Sequence, residues 1–496
     1  MSSRTIFKIL NYDVRSPNAL QVAMNFDAYD PQDFYDEYFA SEGVLRSDIA
    51  PILQWFQNSS SLNMSEIKSS IEDVLGELGA TFTLEGDEER VLPFDPIPRV
   101  IFPQEWQKLT AGLKQRVTAL NLFCADVYSE QRILNDGVIP REVVESAKRF
   151  RPECIGMKPP KGIWCHISGI DLVRDGDGDW RVLEDNLRVP SGIAYVLKNR
   201  LAMERVLPQF VQKFDPAPVD DYAQQLRAVL DAVSQSNSSA MVLLTPGADS
   251  SAYFEHSLLA EQMGIALVTP DDVVIEDGYL QRKSDQGLQR IDTIYRRGDT
   301  EMFDNLNLGD RYPDGTAALI ELCQQGKLAL ANAIGAGVGD DKVIYAYVPD
   351  MIRFYLDEDP ILPNVPTYLC WRDSDRDYVL NHLDELVVKS ASAEGGDGML
   401  VGPNATDEER NAFADKIKQN PRGFMAQPTV YLSQIPTVIG ESIEGRHTDL
   451  RPYVLHQGDD IYVHPGGLTR VALEEGKLVV NSSQGGGAKD TWVLSK

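Results

Sequence analysis

The sequence predicts a mixed α/β protein built from several structural units, and three observations support that class. Residues 240–244 form an apolar strand that is followed by a turn, a helix and a second apolar strand at 265–268, an order typical of a parallel α/β unit. Pro103 opens a long helical pattern, which places a helical region in the N-terminal part. At 496 residues the chain exceeds what one compact core usually holds, so we expect two to four units.

Composition narrows the classes of partner. The net charge of −28 argues against nucleic acid and anionic membranes, because both repel an acidic surface. The five cysteines are odd in number and lack metal-ligand spacing, which favours a reducing compartment over a disulfide scaffold. The sequence has no signal peptide and no apolar run of membrane-spanning length. We therefore expect a cytoplasmic protein that has neither a membrane nor a nucleic acid as its partner.

The first 160 residues predict an arm followed by helices. Residues 26–39 mix aromatic and acidic side chains, a composition typical of an N-terminal arm that docks on a domain. Apolar residues repeat at helical spacing over 65–78, and a short strand is predicted at 81–84. Residues 91–100 contain three prolines and predict an extended loop, in which Arg99 fits a surface charge better than a substrate contact. A helix with one apolar face then starts at Pro103.

Residues 163–186 predict a β-hairpin with a polar end. The Asp-Gly run at 175–179 lies between two apolar stretches, which is typical of a turn. Residues two apart in a strand share a face, so Glu184 and Asn186 point the same way. If Asp171 lies opposite Glu184, the centre of the hairpin falls inside that turn. The three oxygen-bearing side chains then converge.

The residues alone leave two interpretations of this cluster open. Two carboxylates and a carboxamide suit Mg²⁺, which prefers oxygen ligands and completes its octahedron with water and phosphate. An acidic surface hairpin is the other interpretation, because Asp-Gly runs are usually turns. A surface hairpin does not explain why poor strand formers at 184–186 end an apolar strand. Calcium binding by an EF-hand loop is rejected, because Trp180 and Asn186 stand where that loop requires glycine and glutamate.

The middle of the chain predicts the parallel unit and its connections. A helix at 193–200 is predicted to begin after Ser191, which would cap it. Beyond the two strands of the unit, a hairpin is predicted around Asp277-Gly278. A further strand at 291–295 ends in Arg296-Arg297. Ligands bind at such strand ends in α/β folds, so these two arginines are either ligand contacts or a solvated strand end.

The last third of the chain predicts a cradle for phosphates. Lys342 begins a helical pattern that runs to about residue 356, and an apolar strand at 386–389 ends in Lys389. A glycine-rich loop at 395–398 follows, and another strand comes after it. Such a loop lets backbone N–H groups approach a phosphate while a lysine neutralises its charge. No helix opening with Gly-Lys-Ser/Thr follows, so the loop is not a Walker P-loop.

These motifs, in this order, resemble the ATP-grasp fold. The C-terminal motifs are Asp341-Lys342, Lys389 with the glycine loop, Asp449-Leu450-Arg451, Arg470, and Asn481 before a second glycine loop. In that superfamily an Asp and a Glu-x-Asn, both magnesium ligands, normally follow; here they lie far upstream, as Asp171 and 184–186. Over about residues 35–494, the chain is similar to the bacterial family of circularly permuted ATP-grasp proteins often labelled glutathionylspermidine synthase-like. The motifs that resemble it most closely are LEDNLRVPSG, LPNVPTY and NSSQGGG.

The resemblance implies a role for each matching position. Mg²⁺ would be held by Asp171, Glu184 and Asn186. ATP would be bound by Lys342 and Lys389 at the phosphates, Gly395, Gly396 and Gly398 closing over them, Gln427 and Thr429 at adenine, and Asn481. In glutathionylspermidine synthase an arginine lies two residues before the magnesium aspartate and stabilises the transferred phosphoryl group. Gly169 stands there in this chain. The candidates for that catalytic role are Arg188, Arg451 and Arg470.

The resemblance also implies an activity and an architecture. The activity is that of a Mg²⁺-dependent ligase that uses ATP to join a carboxylate to an amine through an acyl phosphate, on small-molecule or peptide substrates. The alternative is a catalytically inactive ATP-binding module that acts through a partner protein. The architecture is an α/β, or mixed α+β, circularly permuted ATP-grasp fold. We expect four parts: an arm and helical region at 1–160, the metal-bearing hairpin at 161–235, a substrate-side α/β unit at 236–330, and an ATP-binding domain at 331–496, on which the hairpin packs.

Overall fold

The structure, a computed structural model, describes most of the chain. The described residues are 26, 29–58, 63–82, 90–234, 240–304, 306, 308–309, 311–392, 398–458, 460–478, 480 and 485–495. Three predicted nucleotide contacts lie outside these residues: Gly395, Gly396 and Asn481. The strand predicted at 81–84 is described only as far as residue 82.

The strands of the described residues are numbered in chain order. They are β1 (Phe39–Ser41), β2 (Val44–Leu45), β3 (Thr81–Phe82), β4 (Arg90–Val91), β5 (Phe94–Ile101), β6 (Ile167–Arg174), β7 (Trp180–Asn186), β8 (Met241–Leu244), β9 (Ala266–Val268), β10 (Val273–Glu276), β11 (Tyr279–Ser284), β12 (Gly287–Arg290), β13 (Thr293–Arg296), β14 (Ala329–Ala331), β15 (Tyr368–Leu369), β16 (Leu386–Ser390), β17 (Met399–Val401), β18 (Phe424–Pro428), β19 (Gln434–Ile439), β20 (Ser442–Arg451), β21 (Tyr453–His456), β22 (Ile461–Val463), β23 (Leu468–Val471) and β24 (Gly487–Val493).

The α-helices are numbered in the same way. They are α1 (Ala50–Asn58), α2 (Met64–Glu77), α3 (Pro103–Val127), α4 (Arg132–Asn135), α5 (Arg141–Glu145), α6 (Ile193–Val206), α7 (Pro208–Phe214), α8 (Tyr222–Val233), α9 (Tyr253–Met263), α10 (Thr300–Asp304), α11 (Gly315–Gln324), α12 (Lys342–Tyr345), α13 (Val348–Leu356), α14 (Asp373–Asn381) and α15 (Asp407–Gln419). In the part of the chain that is described, no helix combines the length and the apolar character needed to cross a membrane.

The largest sheet joins strands from three parts of the chain. Its order is β22-β21-β6-β20-β23-β24-β5, with β7 paired to β6 and β19 paired to β20. β5 comes from the N-terminal region, β6 and β7 form the predicted hairpin, and the other strands begin at residue 434 or later. β24 runs parallel to β5, and the other pairs are antiparallel. The N-terminal, middle and C-terminal segments therefore share one hydrogen-bonded sheet.

The hairpin has the register that its sequence predicts. Asp171 lies opposite Glu184, with a β-bulge on the turn side of this pair. In the turn, Gly178 has a φ of +83°, which glycine adopts without strain. At its other edge β6 pairs with β20 and β21. A circular permutation requires that contact, because it places the hairpin among the C-terminal strands from which it is separated in sequence.

A second sheet contains the predicted parallel α/β unit. β8, β9, β13 and β14 are parallel and lie in the order β14-β13-β8-β9. α9 connects β8 to β9, as the strand–helix–strand pattern predicts. Both faces of the sheet are buried, because Ile294 and Leu243 belong to separate core clusters. β10 and β11 form the predicted hairpin around Asp277 and Gly278, whose positive φ angles suit a two-residue turn.

A third sheet carries Lys389. Its antiparallel strands lie in the order β15-β18-β16-β17. Leu386 and Val388 on β16 pack in an apolar cluster with Val379 of α14 and Ile417 of α15. Side chains alternate across a strand, so Lys389 points to the face opposite that cluster.

The prediction of a loop at 91–100 is wrong. Phe94–Ile101 is β5, an edge strand that pairs with β24. Prolines are tolerated in edge strands, because a missing N–H there need not break the ladder, and the pairing is irregular where two of them lie. Arg99 is not a surface charge either. It is buried, forms an ion pair with Glu37 and donates from Nη1 to the backbone oxygen of Asp449 at 2.9 Å.

The N-terminal arm docks on the large sheet, as its composition predicts. Glu37 N donates to Gln434 O at 2.9 Å, and Gln434 N donates to Tyr35 O at 2.8 Å. Ser433 Oγ also donates to the Glu37 carboxylate, at 2.6 Å. The arm therefore supplies the anion that compensates the buried Arg99.

Ser191 does not cap α6 as predicted. The N–H groups of Gly192 and Ala194 donate instead to Oε2 of Glu255, at 2.8 and 3.0 Å. Gly192 has a φ of +113°, a conformation in which a side chain is strained. A carboxylate at a helix N-terminus satisfies N–H groups and the helix dipole together. Because Glu255 belongs to α9, the local sequence around Ser191 carries no sign of it.

Candidate functional site

One face of the large sheet gathers charged and amide side chains. Asp171 and Glu184 are cross-strand partners on β6 and β7, and Asp449 is paired with Arg470 on β20 and β23. β6 and β20 are neighbours in the sheet, which brings Arg451 beside Asp171. Residues two apart on each strand share this face. The set is Asp171, Glu184, Asn186, Asp449, Arg451 and Arg470.

Asp171 is the centre of this cluster. Its buried carboxylate accepts from Arg451 Nε at 2.5 Å and Nη2 at 2.7 Å, and from Arg470 Nη2 at 2.8 Å. Burial acts to raise the pKa of Asp171, but the charges of Arg451 and Arg470 outweigh it and hold that pKa well below its usual range. Asp171 is therefore ionised at neutral pH and fixed by three charge-assisted hydrogen bonds.

The carboxylate of Asp449 balances the charge of the Arg470 guanidinium. Its carboxylate accepts from Arg470 Nε at 2.9 Å. Its backbone oxygen accepts from Arg99, which connects the cluster to the N-terminal arm. Asp171 and Asp449 together carry two negative charges against the two positive charges of Arg451 and Arg470. The buried part of this face is thus electrically balanced, which a buried ionic network needs to be stable.

Glu184 faces a second group of cations. Lys342 Nζ lies 3.3 Å from its Oε2, and Arg451 Nη2 lies 4.0 Å from its Oε1. The Glu184 side chain is 27% exposed, so it keeps the access to solvent that Asp171 lacks. Burial lowers the pKa of Lys389 to about 8; the charge of Glu184 opposes that shift and the charge of Lys342 adds to it. The two lysines and Glu184 therefore lie close enough to act on a common ligand.

Backbone contacts place the two lysines near each other. Lys342 N donates to Ala391 O at 3.0 Å, directly after the end of β16. Asp341 caps α12 by accepting from Val343 N at 2.9 Å. The helix predicted from Lys342 to about residue 356 is broken between α12 and α13, because a proline occupies the first turn of α13. α12 is therefore a single turn, whose first residue lies beside the strand of Lys389.

The side chains on this face fit a magnesium ion. Asp171 and Glu184 offer carboxylate oxygens and Asn186 offers an amide oxygen, all of them hard ligands. Asn186 Nδ2 is buried and has no hydrogen-bond partner among the described residues, but this nitrogen is a donor, so only the amide oxygen could bind a cation. Across the described part of the chain, no three histidine, cysteine or acidic side chains are grouped so that they could hold a metal. Magnesium here would depend on the amide, on water and on phosphate oxygens.

The predicted adenine contacts lie at one end of the third sheet. Gln427 is buried on β18, and its Nε2 donates to Thr367 Oγ1 at 3.2 Å. Thr429 Oγ1 donates to Glu385 O at 2.9 Å. Gly398, which precedes β17, has a φ of +63°. The other predicted nucleotide contacts are outside the described residues: Gly395, Gly396 and Asn481.

A cavity of about 360 Å³ opens between α13 and the segment 359–367. Thr367, which accepts the hydrogen bond of Gln427, is one of its lining residues. Neither the two lysines nor the residues around Asp171 line it. The cavity therefore adjoins the predicted adenine end of the site and is separate from the charged face.

Arg188 is the predicted catalytic arginine that does not bind Asp171. Its Nε donates to Asp340 Oδ2 at 2.5 Å, and its Nη1 forms an ion pair with Asp299. These acids follow β14 and β13, so Arg188 is directed toward the parallel sheet. Asp299 gave no signal in the sequence, because its partner lies 111 residues away.

Gly169 leaves room for Arg451. A Cβ at this position would lie 2.9 Å from Cβ of Pro190 and 3.3 Å from Cδ of Arg451. The aliphatic part of Arg451 therefore passes over the bare backbone of Gly169 on its way to Asp171. The space beside residue 169, where the resemblance implies an arginine, is occupied by an arginine from another strand.

Comparison with known proteins adds three sequence findings. The model of a family described as circularly permuted ATP-grasp type 2 matches residues 98–472. An uncharacterized protein of Synechocystis sp. is 54% identical to this chain, over 95% of it and 99% of the relative. A protein of Frankia casuarinae, named for an inferred glutamate–cysteine ligase activity, is 40% identical over 92% of this chain and 53% of the relative.

A solved structure shares the fold. The apo form of a glutathione synthetase-like effector from Globodera pallida matches with a TM-score of 0.57, over 86% of this chain and 96% of that one. The two sequences are 10% identical. At that identity the likeness concerns the fold alone.

Proposed function

The chain belongs to the circularly permuted ATP-grasp type 2 family, and from that membership we propose that it is an ATP-dependent ligase that joins a carboxylate to an amine. The observation that carries the proposal is the ion network around Asp171. Arg451 and Arg470 lie 280 and 299 residues away from it in sequence, yet both bind its carboxylate. A network assembled from such distant residues supports an active site rather than an acidic surface hairpin.

In this proposal, Lys342 and Lys389 bind the triphosphate of ATP. Lys342, on α12, forms an ion pair with Glu184, and Lys389, on β16, lies where the charge of Glu184 acts on its pKa. A chain with a net charge of −28 can hold an anionic nucleotide only where local cations reverse the potential. The other nucleotide contacts would be Gly395, Gly396, Gly398, Gln427, Thr429 and Asn481.

Asp171, Glu184 and Asn186 would hold Mg²⁺, which when bound supplies positive charge to the phosphate oxygens. Arg451 and Arg470 orient Asp171 and keep it ionised, as its lowered pKa indicates. Arg451 is the more exposed of the two arginines and the one nearer Glu184. We assign to Arg451 the stabilisation of the transferred phosphoryl group, in place of the arginine that Gly169 lacks.

The proposed reaction has two transfers. An oxygen of the substrate carboxylate attacks the γ-phosphorus of ATP, the bond to the β-phosphate oxygen breaks, and ADP and an acyl phosphate form. The nitrogen of the amine then attacks the acyl carbon, phosphate leaves, and the nitrogen loses a proton. The protein contributes mainly position and charge to such steps.

The name of one relative bears on the substrate class. The Frankia casuarinae relative is named for a ligase activity, but this chain spans about half of its length, so the name applies to a longer protein. A ligase that acts on small-molecule or peptide carboxylates and amines is consistent with that name. The alternative is an ATP-binding module without ligase activity that acts through a partner protein.

The direct test incubates the protein with Mg-ATP and with pools of small carboxylates and amines while ADP is measured. Repeated turnover of ATP to ADP that requires both pools supports ligation. Carboxylates alone should release at most about one ADP per protein, from the acyl-phosphate step, whereas repeated turnover with one pool alone contradicts ligation and indicates phosphotransfer. ATP binding without turnover in any pool favours the module. Glu184→Gln is the inactive control, and Asp177→Asn, an exposed acid at the tip of the same hairpin, is the matched control that retains activity.

A further inference from the structure

Arg296 is a buried cation at the carboxyl end of β13, in the interior of the parallel sheet. Its Nε donates to Asn332 O at 2.8 Å, and its Nη2 lies 3.5 Å from Ala333 O. Its Nη1 is buried and has no hydrogen-bond partner in the described part of the chain. In the described residues, the hydrogen bonds of this guanidinium thus go only to neutral carbonyl oxygens, it lies over the ring of Phe303 at 5.8 Å from the centroid, and its Nη1 has no polar partner.

This state distinguishes Arg296 from the other buried arginines. Each of the others in the described residues forms an ion pair with a carboxylate: Arg99, Arg116, Arg174, Arg188, Arg200, Arg297, Arg446 and Arg470. Leaving a buried charge without a counter-ion costs free energy of folding. Burial, together with the neighbouring charge of Arg188, lowers the pKa of Arg296 to about 10.

The acids nearest to Arg296 are bound to Arg188 instead. Asp340 accepts from Arg188 Nε at 2.5 Å, and Asp299 forms an ion pair with Arg188 Nη1. The charges of both acids act to raise the pKa of Arg296, so they lie close to it, but neither forms an ion pair with it. The Asp299 side chain is 38% exposed, whereas that of Asp340 is 10% exposed. Asp299 is therefore the acid that a ligand could displace.

We propose that Arg296 and Arg188 bind a carboxylate group of the substrate, which takes the place of the Asp299 side chain on Arg188. Two guanidiniums recognise a carboxylate through charge-assisted hydrogen bonds. The carboxyl ends of parallel strands are where α/β units place their ligands. This proposal rests on the proposed ligase function and narrows its substrate class to compounds with at least two carboxylates.

The second carboxylate is the one that reacts. A carboxylate held between two guanidiniums is stabilised as an anion, which suits recognition and not attack on phosphorus. A short segment connects the proposed carboxylate site at Arg296 and Arg188 with the charged face around Arg451. Arg451 Nη1 lies 3.4 Å from Ser191 O, and Arg188 begins the same segment, 188–191. In this proposal, one end of a dicarboxylate binds at Arg296 and the other end faces the phosphates.

The test uses the full-length protein without ATP and takes succinate as the probe, with neutral succinamide as the matched control. We expect succinate, and not succinamide, to raise the melting temperature of the wild type. Asp299→Asn removes the competing carboxylate, so it should bind succinate about tenfold more tightly in a calorimetric titration. Arg296→Gln should lose the binding. Arg290→Gln, which changes an exposed arginine in the same unit, should bind like the wild type.

The proposal is overturned if succinate stabilises neither the wild type nor Asp299→Asn more than succinamide does. Asp299→Asn keeps the test decisive even if Arg296→Gln does not fold, because Asp299 is partly exposed. Inorganic phosphate is titrated in parallel, and binding of phosphate without binding of succinate also overturns the assignment. A Mg-ATP titration of the wild type tests the proposed ligase function separately. Absence of Mg-ATP binding would contradict that function, whereas the succinate titration tests only the site at Arg296.

Discussion

The large sheet and the parallel sheet both bury arginines, but they compensate them differently. Around Asp171, the guanidiniums of Arg451 and Arg470 are matched by two buried carboxylates. At the end of β13, the hydrogen-bond partners of Arg296 within the described residues are carbonyl oxygens alone. The first region is electrically complete before any ligand binds, and the second is not. We infer that matched charges mark the preorganised catalytic face, and that the missing charge marks the place of an anionic substrate.

Removing Asp171 should have the largest effect, because two guanidiniums share its carboxylate. Asp171→Ala leaves Arg470 with Asp449 and Arg451 with only the partly exposed Glu184, 4.0 Å away, and breaking a buried pair in this way costs about 3–5 kcal/mol of stability. Activity should be lost as well. Urea unfolding measures the stability change. Arg296→Gln should lower the free energy of unfolding clearly less, since it leaves no carboxylate unpaired. Equal losses for the two variants would contradict the difference proposed between the two regions.

Glu184→Gln should separate metal binding from stability. The side chain is 27% exposed, and ion pairs with that degree of exposure contribute about 0–1 kcal/mol, so the melting curve should change little. Mg-ATP affinity should fall by about a hundredfold, since even the hydrogen-bond partners of metal ligands cost 10–100-fold when removed. Calorimetric titration with Mg-ATP measures it, with Asp177→Asn as the control. Global unfolding of Glu184→Gln would count against its assignment as a metal ligand.

Lys389→Met should weaken ATP binding by about tenfold, the loss of one charge-assisted contact worth about 1.5 kcal/mol. Its stability should stay near that of the wild type, because the methionine keeps most of the aliphatic stem. Succinate binding at Arg296 should not change. A nucleotide titration and a succinate titration of the same variant test both statements, and unchanged ATP affinity would remove Lys389 from the phosphate site.

The smallest expected effect is a pH dependence of ATP affinity. Burial lowers the pKa of Lys389 to about 8, so this lysine loses its charge as the pH rises from 7 to 9. ATP affinity should fall a few fold over that range in the wild type and stay flat in Lys389→Met. The linkage with stability has the opposite sign. Between about pH 8 and 10 the unfolded chain binds more protons at this site than the folded one, so this group's contribution to stability rises with pH.

The hairpin shows how far the sequence alone can predict the site. Alternation of side chains and the Asp-Gly turn suggested that Asp171 lies opposite Glu184, and the structure has this pair, next to a β-bulge that the sequence did not predict. The parallel unit followed from its strand–helix–strand order. Both signals are local, because each depends on residues that are neighbours in the chain. Local signals could not decide which of Arg188, Arg451 and Arg470 takes the catalytic position. That depends on strands whose arginines lie 280 and 299 residues from Asp171 in sequence.

The wrong predictions share one physical cause, a partner that is distant in the chain. Residues 91–100 have the composition of a loop, but β24 pairs with most of them as a strand. Arg99 has the local sequence of a surface charge, but Glu37 of the N-terminal arm forms an ion pair with it. Ser191 has the composition of a cap, but Glu255 from another helix takes that role. The sequence also could not predict that Arg296 lacks an ion pair. It shows an arginine at this strand end, but not that the nearby Asp299 and Asp340 pair with Arg188 instead.

The most direct test of the central claim is a crystal structure of the protein with Mg²⁺ and a non-hydrolysable ATP analogue. We predict that the triphosphate lies between Lys342 and Lys389, and that Mg²⁺ lies about 2.0–2.1 Å from oxygens of Asp171, Glu184 and Asn186. A nucleotide bound elsewhere, or a metal with none of these three side chains among its ligands, would contradict the account.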